Sequence, residues 1–80
     1  MKIKKGHKGI LTWEDSASPA EDTWMKPDAV YGTVEIHSYG EIVLASPRSV
    51  TIAGHISEFG RASGAISVPR SCIKGWKRIK

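Results

Sequence analysis

In Thr33-Val34-Glu35-Ile36-His37, Val34 and Ile36 fall on one side of an extended chain and Glu35 and His37 on the other. This two-residue alternation is the feature that most constrains the fold, because a strand collects such apolar side chains on one face and a helix scatters them. The pattern returns in Ser49 to Ser57, where Val50, Ile52, Gly54 and Ile56 interleave with Thr51, Ala53, His55 and Ser57. Between these segments, Ser38-Tyr39-Gly40 predicts a turn and Glu41 to Ala45 a strand carrying Ile42-Val43-Leu44, which Ser46-Pro47-Arg48-Ser49 then breaks. Gly60, Ser63 and Gly64 mark a further turn, and Ala65 to Val68 and Trp76 to Ile79 read as the last two strands. Short strands at roughly ten-residue intervals, punctuated by Gly, Pro and Ser, predict a mostly-β small barrel of five or six short strands. Gly and Pro total 12, and no stretch beyond residue 30 sustains i, i+3, i+4 spacing, so a helical bundle is not expected.

With 80 residues the chain is read as a single domain, 1–80, whose core supplies only roughly 3–5 kcal/mol of net stability. Lys8 to Trp13 reads as an opening strand, after which residues 13–32 are too long for a bare hairpin loop. Ser18-Pro19-Ala20-Glu21 has the form of a capping box, with Ser at the N-cap, Pro at the first helical position and Glu at the third. It predicts one short helical turn near residues 18–25, ending before Pro27. An alternative architecture, a short parallel β-helix-like stack, draws on the Val-x-Ile and Ile-x-Leu triplets between Gly32 and Val68. Their irregular spacing, and the stability of such stacks only with several rungs, count against it.

The segment Ala65-Ile66-Ser67-Val68-Pro69-Arg70-Ser71-Cys72-Ile73 resembles the ending of an SH3-like small β-barrel. There a strand runs into a single 3₁₀ turn and a short last strand follows. The resemblance, which spans Ala65 to Ile79, implies a turn at Pro69 to Ile73 and a closing strand at Gly75 to Ile79. It also implies that the first and last strands lie side by side. Cys72 stands where the groove tyrosine of peptide-binding members falls, and the alanine-leucine-tyrosine-aspartate signature and the paired tryptophan are missing, so recognition of proline-rich peptides is not implied. Nucleic-acid-binding, Sm-like and ribosomal-type small barrels share this ending.

Charge is divided along the chain. Lys2, Lys4, Lys5 and Lys8 make the start basic, and Arg70, Lys74, Lys77, Arg78 and Lys80 do the same for the end. Between them, Glu14, Asp15, Glu21, Asp22 and Asp28 outweigh Lys26. Two readings follow. In the first, the protein is a small non-enzymatic interaction or inhibitory module that docks on a partner protein through the acidic Trp13 to Asp28 segment, with Glu14, Asp15, Glu21, Asp22 and Trp24, through an exposed strand edge, or through both. In the second, the joined termini bind RNA or single-stranded DNA: Lys4, Lys5, Lys8, Lys74, Lys77 and Arg78 contact phosphates, while Trp76, and with it Trp13, stacks on bases. The same cations would otherwise only solvate edge strands, and a homodimer through an unpaired edge is compatible with either reading.

Catalysis is not expected. Cys72 lies between Arg70 and Lys74, which favour a thiolate, but the sequence offers it no positioned base. His7, His37, His55 and Cys72 have no paired-ligand spacing, so no metal site is predicted and no cofactor is called for. The Gly54 to Gly64 segment lacks the Lys-Ser/Thr ending of a phosphate-binding loop. No apolar run approaches the ~20 residues that span a bilayer. One cysteine and no leader-like apolar stretch fit a soluble, cytoplasmic protein without a membrane partner.

Overall fold

The computed structural model describes residues 2–16 and 33–79. The predicted helical turn near residues 18–25, and Glu21, Asp22 and Trp24 with it, lie outside the described residues. Five strands form one antiparallel sheet: β1 (Lys8–Ser16), β2 (Thr33–Ala45), β3 (Ser49–Ile56), β4 (Ala62–Pro69) and β5 (Ile73–Ile79). Their order across the sheet is β4-β3-β2-β1-β5. Strands β4 and β5 are the two edges, so the sheet is open and does not close into a barrel. Every pairing is antiparallel, which replaces the parallel β-helix-like alternative. A single 3₁₀ turn, Arg70–Cys72, joins β4 to β5 within the span expected for it.

The turn expected at Ser38-Tyr39-Gly40 does not form, and β2 runs straight through it. Up to Glu41 it pairs with β1; from Glu41 onward it pairs with β3. Gly40 marks the change of partner. A Cβ built on it would run into the carbonyl oxygen of Ala53, with the Ala53 carbonyl carbon at 2.9 Å. The glycine is thus required by the close approach of β3 rather than by a turn. A register shift between Ile42 and Leu44 then carries β2 into its second pairing.

Residues opposite one another in an antiparallel ladder share a face, so register assigns every side chain. Leu11, Ile42, Val50, Ile52 and Val68 are fully buried and form the centre of the core. Ile3 and Trp13 join them, and Ile36, Ala45, Cys72, Ile73 and Trp76 pack around their margin. The Trp13 indole satisfies its one polar atom by donating from Nε1 to Ser38 Oγ at 3.0 Å.

The connections are held by local hydrogen bonds. In the β2–β3 turn, Ser46 Oγ accepts from the Ser49 amide at 3.1 Å, and the Arg70 Nε donates to the Ser46 carbonyl at 2.6 Å. Arg70 therefore ties the 3₁₀ turn to the β2–β3 connection. At the β3–β4 connection, Ser57 Oγ accepts from the Arg61 amide at 3.1 Å, and Phe59 is left almost wholly exposed.

Gly40→Ala is expected to destabilise the fold by about 1–3 kcal/mol, the usual cost of overpacking where backbone must give way. Urea unfolding of the two proteins measures it. An unchanged midpoint would mean that β2 can move away from Ala53 at no cost.

Candidate functional site

The N-terminal segment is pinned to the sheet. Ile3 is buried in the core, the Gly6 amide donates to the Ile42 carbonyl at 2.8 Å, and the Ile42 amide donates to the His7 carbonyl at 2.9 Å. Between these anchors, Lys4 to His7 form a tight turn closed by the His7 amide on the Lys4 carbonyl at 3.2 Å. Gly6 has φ of 90°, the left-handed backbone that the third position of such a turn demands. Lys4 and Lys5 consequently project from a fixed turn.

The β1–β5 ladder brings the other terminus to the same corner. Lys8 lies opposite Ile79, Gly9 opposite Arg78, and Ile10 opposite Lys77. Lys4, Lys5, Lys8, Lys77 and Arg78 are all exposed. Among the described residues none of these five forms an ion pair with a carboxylate. The imidazole of His7 senses the convergence: its pKa is lowered from 6.5, first by desolvation and then by the positive charges of Arg78 and Lys4.

Other predicted site residues go elsewhere. Lys74 lies at the far end of β5, with its Nζ 3.5 Å from a Glu14 carboxylate oxygen. It is separated from the corner, and Glu14 is engaged internally. Glu14 stands directly opposite Glu35 on β2, a like-charge pair that costs stability. Lys74 relieves one member and His37, 3.4 Å from Glu35, faces the other. Asp15 lies beside them near the end of β1. The two tryptophans expected to stack on bases both turn inward. Trp13 is a core residue, and Trp76 shares the inner face with Leu11, its ring lying across β1 at Gly9. Trp13 is thereby withdrawn from solvent, whereas Trp76 stays partly exposed and borders the open concavity beside Lys77.

That face of β2, β1 and β5 carries three cross-strand rows: Glu41-Lys8-Ile79, Tyr39-Ile10-Lys77 and His37-Thr12-Gly75. Tyr39 is 67% exposed, although its place in Ser38-Tyr39-Gly40 predicts no more than a turn residue. It borders two open concavities. One, of about 350 Å³, includes Lys8, Gly40, Ala53, Ile56 and Ile79; the other, of about 470 Å³, includes Ile10, Thr12, His37, Gly75 and Lys77.

Thr12 Oγ1 and His37 Nδ1 are 3.0 Å apart, and His37 Nε2 faces Glu35. In the neutral ring one tautomer satisfies both contacts: the threonine hydroxyl donates to Nδ1 and Nε2–H points at the carboxylate. The chain of acid, imidazole and hydroxyl is open to water, and the threonine sits on a central strand laddered on both sides. It orients His37 on the outer face. His55 lies away on β3 opposite Ser63, and Cys72 packs half-buried against the core. No group of three His, Cys, Asp or Glu side chains suited to a metal occurs among the described residues, and no helix among them is long and apolar enough to cross a membrane.

No protein-family model, curated protein or solved structure matches the chain.

The lowered pKa of His7 has a definite sign. Below about pH 6.5 the unfolded chain takes up the His7 proton before the folded one does. The associated stability is therefore intact above that pH and lost as pH falls through the lower folded value. In urea unfolding followed across this window, His7→Gln is expected to remove this part of the pH dependence. Identical pH dependence in both proteins would show that Lys4, Arg78 and burial do not act on the ring.

Proposed function

We propose that the protein binds nucleic acid without catalysing a reaction, through the corner where its two termini meet. One observation carries this reading. Lys4, Lys5, Lys8, Lys77 and Arg78 gather at one end of the β1–β5 pair, none of them ion-paired with a described carboxylate, and the one acid opposite them, Glu41 across from Lys8, leaves the corner strongly positive. Cations fixed in this way attract a phosphate backbone, because binding releases the counterions condensed on it. They are presented at low entropic cost, since buried Ile3 and the Gly6 turn already hold the N-terminal lysines.

We read the fold as an open SH3-like small barrel. Support comes from the position of β1 between β2 and β5 and from the single 3₁₀ turn at Arg70–Cys72. The outer face and the basic corner, rather than a peptide groove, are then the places to look for a ligand.

Docking on a partner protein is the second reading. Its acidic surface retains only Glu14 and Asp15 among the described residues, and Glu14 faces Lys74. What favours it is the pair of unclosed sheet edges, β4 and β5, where a partner or a second copy would add a strand.

Fluorescence anisotropy of labelled single-stranded and duplex oligonucleotides, titrated at several salt concentrations, separates the two readings. The Lys4→Ala, Lys77→Ala, Arg78→Ala triple variant is expected to weaken binding to all sequences. It should also flatten the slope of log affinity against log salt by about 2 for single strands, or ~0.7 for each phosphate no longer neutralised. Lys74→Ala, whose cation sits against Glu14, is expected to change the slope far less. A slope unaltered in the triple variant removes the nucleic-acid reading, and absence of binding at low salt leaves docking at an edge.

A further inference from the structure

The basic corner accounts for phosphates and says nothing about bases. On the adjoining outer face, Tyr39 stands exposed between two shallow concavities, and its neighbours across the sheet are Ile10 and then Lys77. Adjacent strands are ~4.8 Å apart, so Lys77 lies two spacings, about 10 Å, from Tyr39 across an apolar floor. An aromatic plane with cations beside it is the arrangement that holds a base by stacking and its phosphate by charge.

We propose that Tyr39 is a stacking platform for an unpaired base, and that the ligand is single-stranded nucleic acid laid across the outer face of β2, β1 and β5. This rests on the nucleic-acid reading above and goes beyond it in naming the strand type and the residue that selects it. Charge complementarity argues for the occupant: Lys8, diagonal to Tyr39 and opposite Glu41, and Lys77, in the same row beyond Ile10, share the ring's face and lead into the basic corner, where the cations outnumber the single acid Glu41. A duplex keeps its base faces stacked internally and offers nothing to a tyrosine standing on a sheet. Phe59 in the β3–β4 connection is more exposed still, but the opposite charges of Glu58 and Arg61 beside it leave no net cation to engage phosphates.

Trp13 is buried, and Trp76, which borders one of the concavities, is partly buried against the core and less available than Tyr39. His37, one row away and oriented by Thr12 and Glu35, borders the same concavity and supplies a second flat ring. Tyr39 is the more exposed ring, and it is the one to test.

The experiment uses the full chain and three labelled probes: an oligothymidine, an abasic strand of equal length, and a duplex. Tyr39→Ala is expected to lower affinity for the oligothymidine by roughly 5- to 150-fold, the range for removal of one stacked base. Its affinity for the abasic strand and the duplex should be unchanged, and Tyr39→Phe should bind like the parent. If the alanine variant fails to fold by circular dichroism, Tyr39→Leu against Tyr39→Phe makes the same comparison. Equal oligothymidine affinity in parent and Ala or Leu variant overturns the proposal. So does parental binding as tight to the abasic strand as to the oligothymidine. In either case salt-dependent binding would leave the phosphate reading standing. A parent that binds none of the three probes at low salt overturns both.

Discussion

The sheet depends on β2 serving two partners in succession. The exchange requires the β3 backbone to come against β2 at Gly40, and only a residue without a side chain admits the Ala53 carbonyl there. Upstream of that contact β2 supports β1, and through β1 the edge strand β5; downstream it supports β3 and β4. Leu11 and Trp13 on one side and Val50, Ile52 and Val68 on the other then bury each other's apolar surface, with Ile42 between them. In so short a chain neither half has an adequate core alone. Hence one glycine couples the stability of the β1–β5 side of the sheet to that of the β3–β4 hairpin.

Much of the architecture is legible in the alternation. Val34, Ile36, Val50 and Ile52 mark strands because a period of two admits no other use of them, and the 3₁₀ turn and the β1–β5 neighbourhood follow from the resemblance of the barrel ending. Ser38-Tyr39-Gly40 misleads because glycine is written the same way for a turn and for a close backbone approach. Only the partner strand distinguishes the two, and that partner is more than ten residues away in sequence. Ile3 is equally hidden: a lone isoleucine among lysines carries no periodicity, and its burial depends on where the segment crosses the sheet.

The candidate site is legible as charge and illegible as geometry. Five C-terminal cations look like one tail, yet those the structure describes have different fates. Arg70 stitches the 3₁₀ turn to Ser46, Lys74 faces Glu14, and Lys77 and Arg78 reach the corner. Sequence adjacency gives no indication of this division. The exposed aromatics, Tyr39 and Phe59, are not the tryptophans that residue type suggests for stacking, since exposure on the sheet is decided by which face the register assigns.

That assignment follows from a single pairing. Leu11 must face the core, so Trp76 opposite it turns inward, and Lys77, opposite Ile10, turns outward onto the row that holds Tyr39. A slip of one residue in β5 would expose the tryptophan and drive the lysine towards the core, at the desolvation cost of an unpaired charge. The bulge between Thr12 and Trp13 lets Ile73 regain the inner face beyond it, keeping both ends of β5 in register with the core. The requirement that turns Trp76 inward therefore also sets Lys77 in the row of Tyr39, and the outer face is fixed by the packing of the opposite side of the sheet.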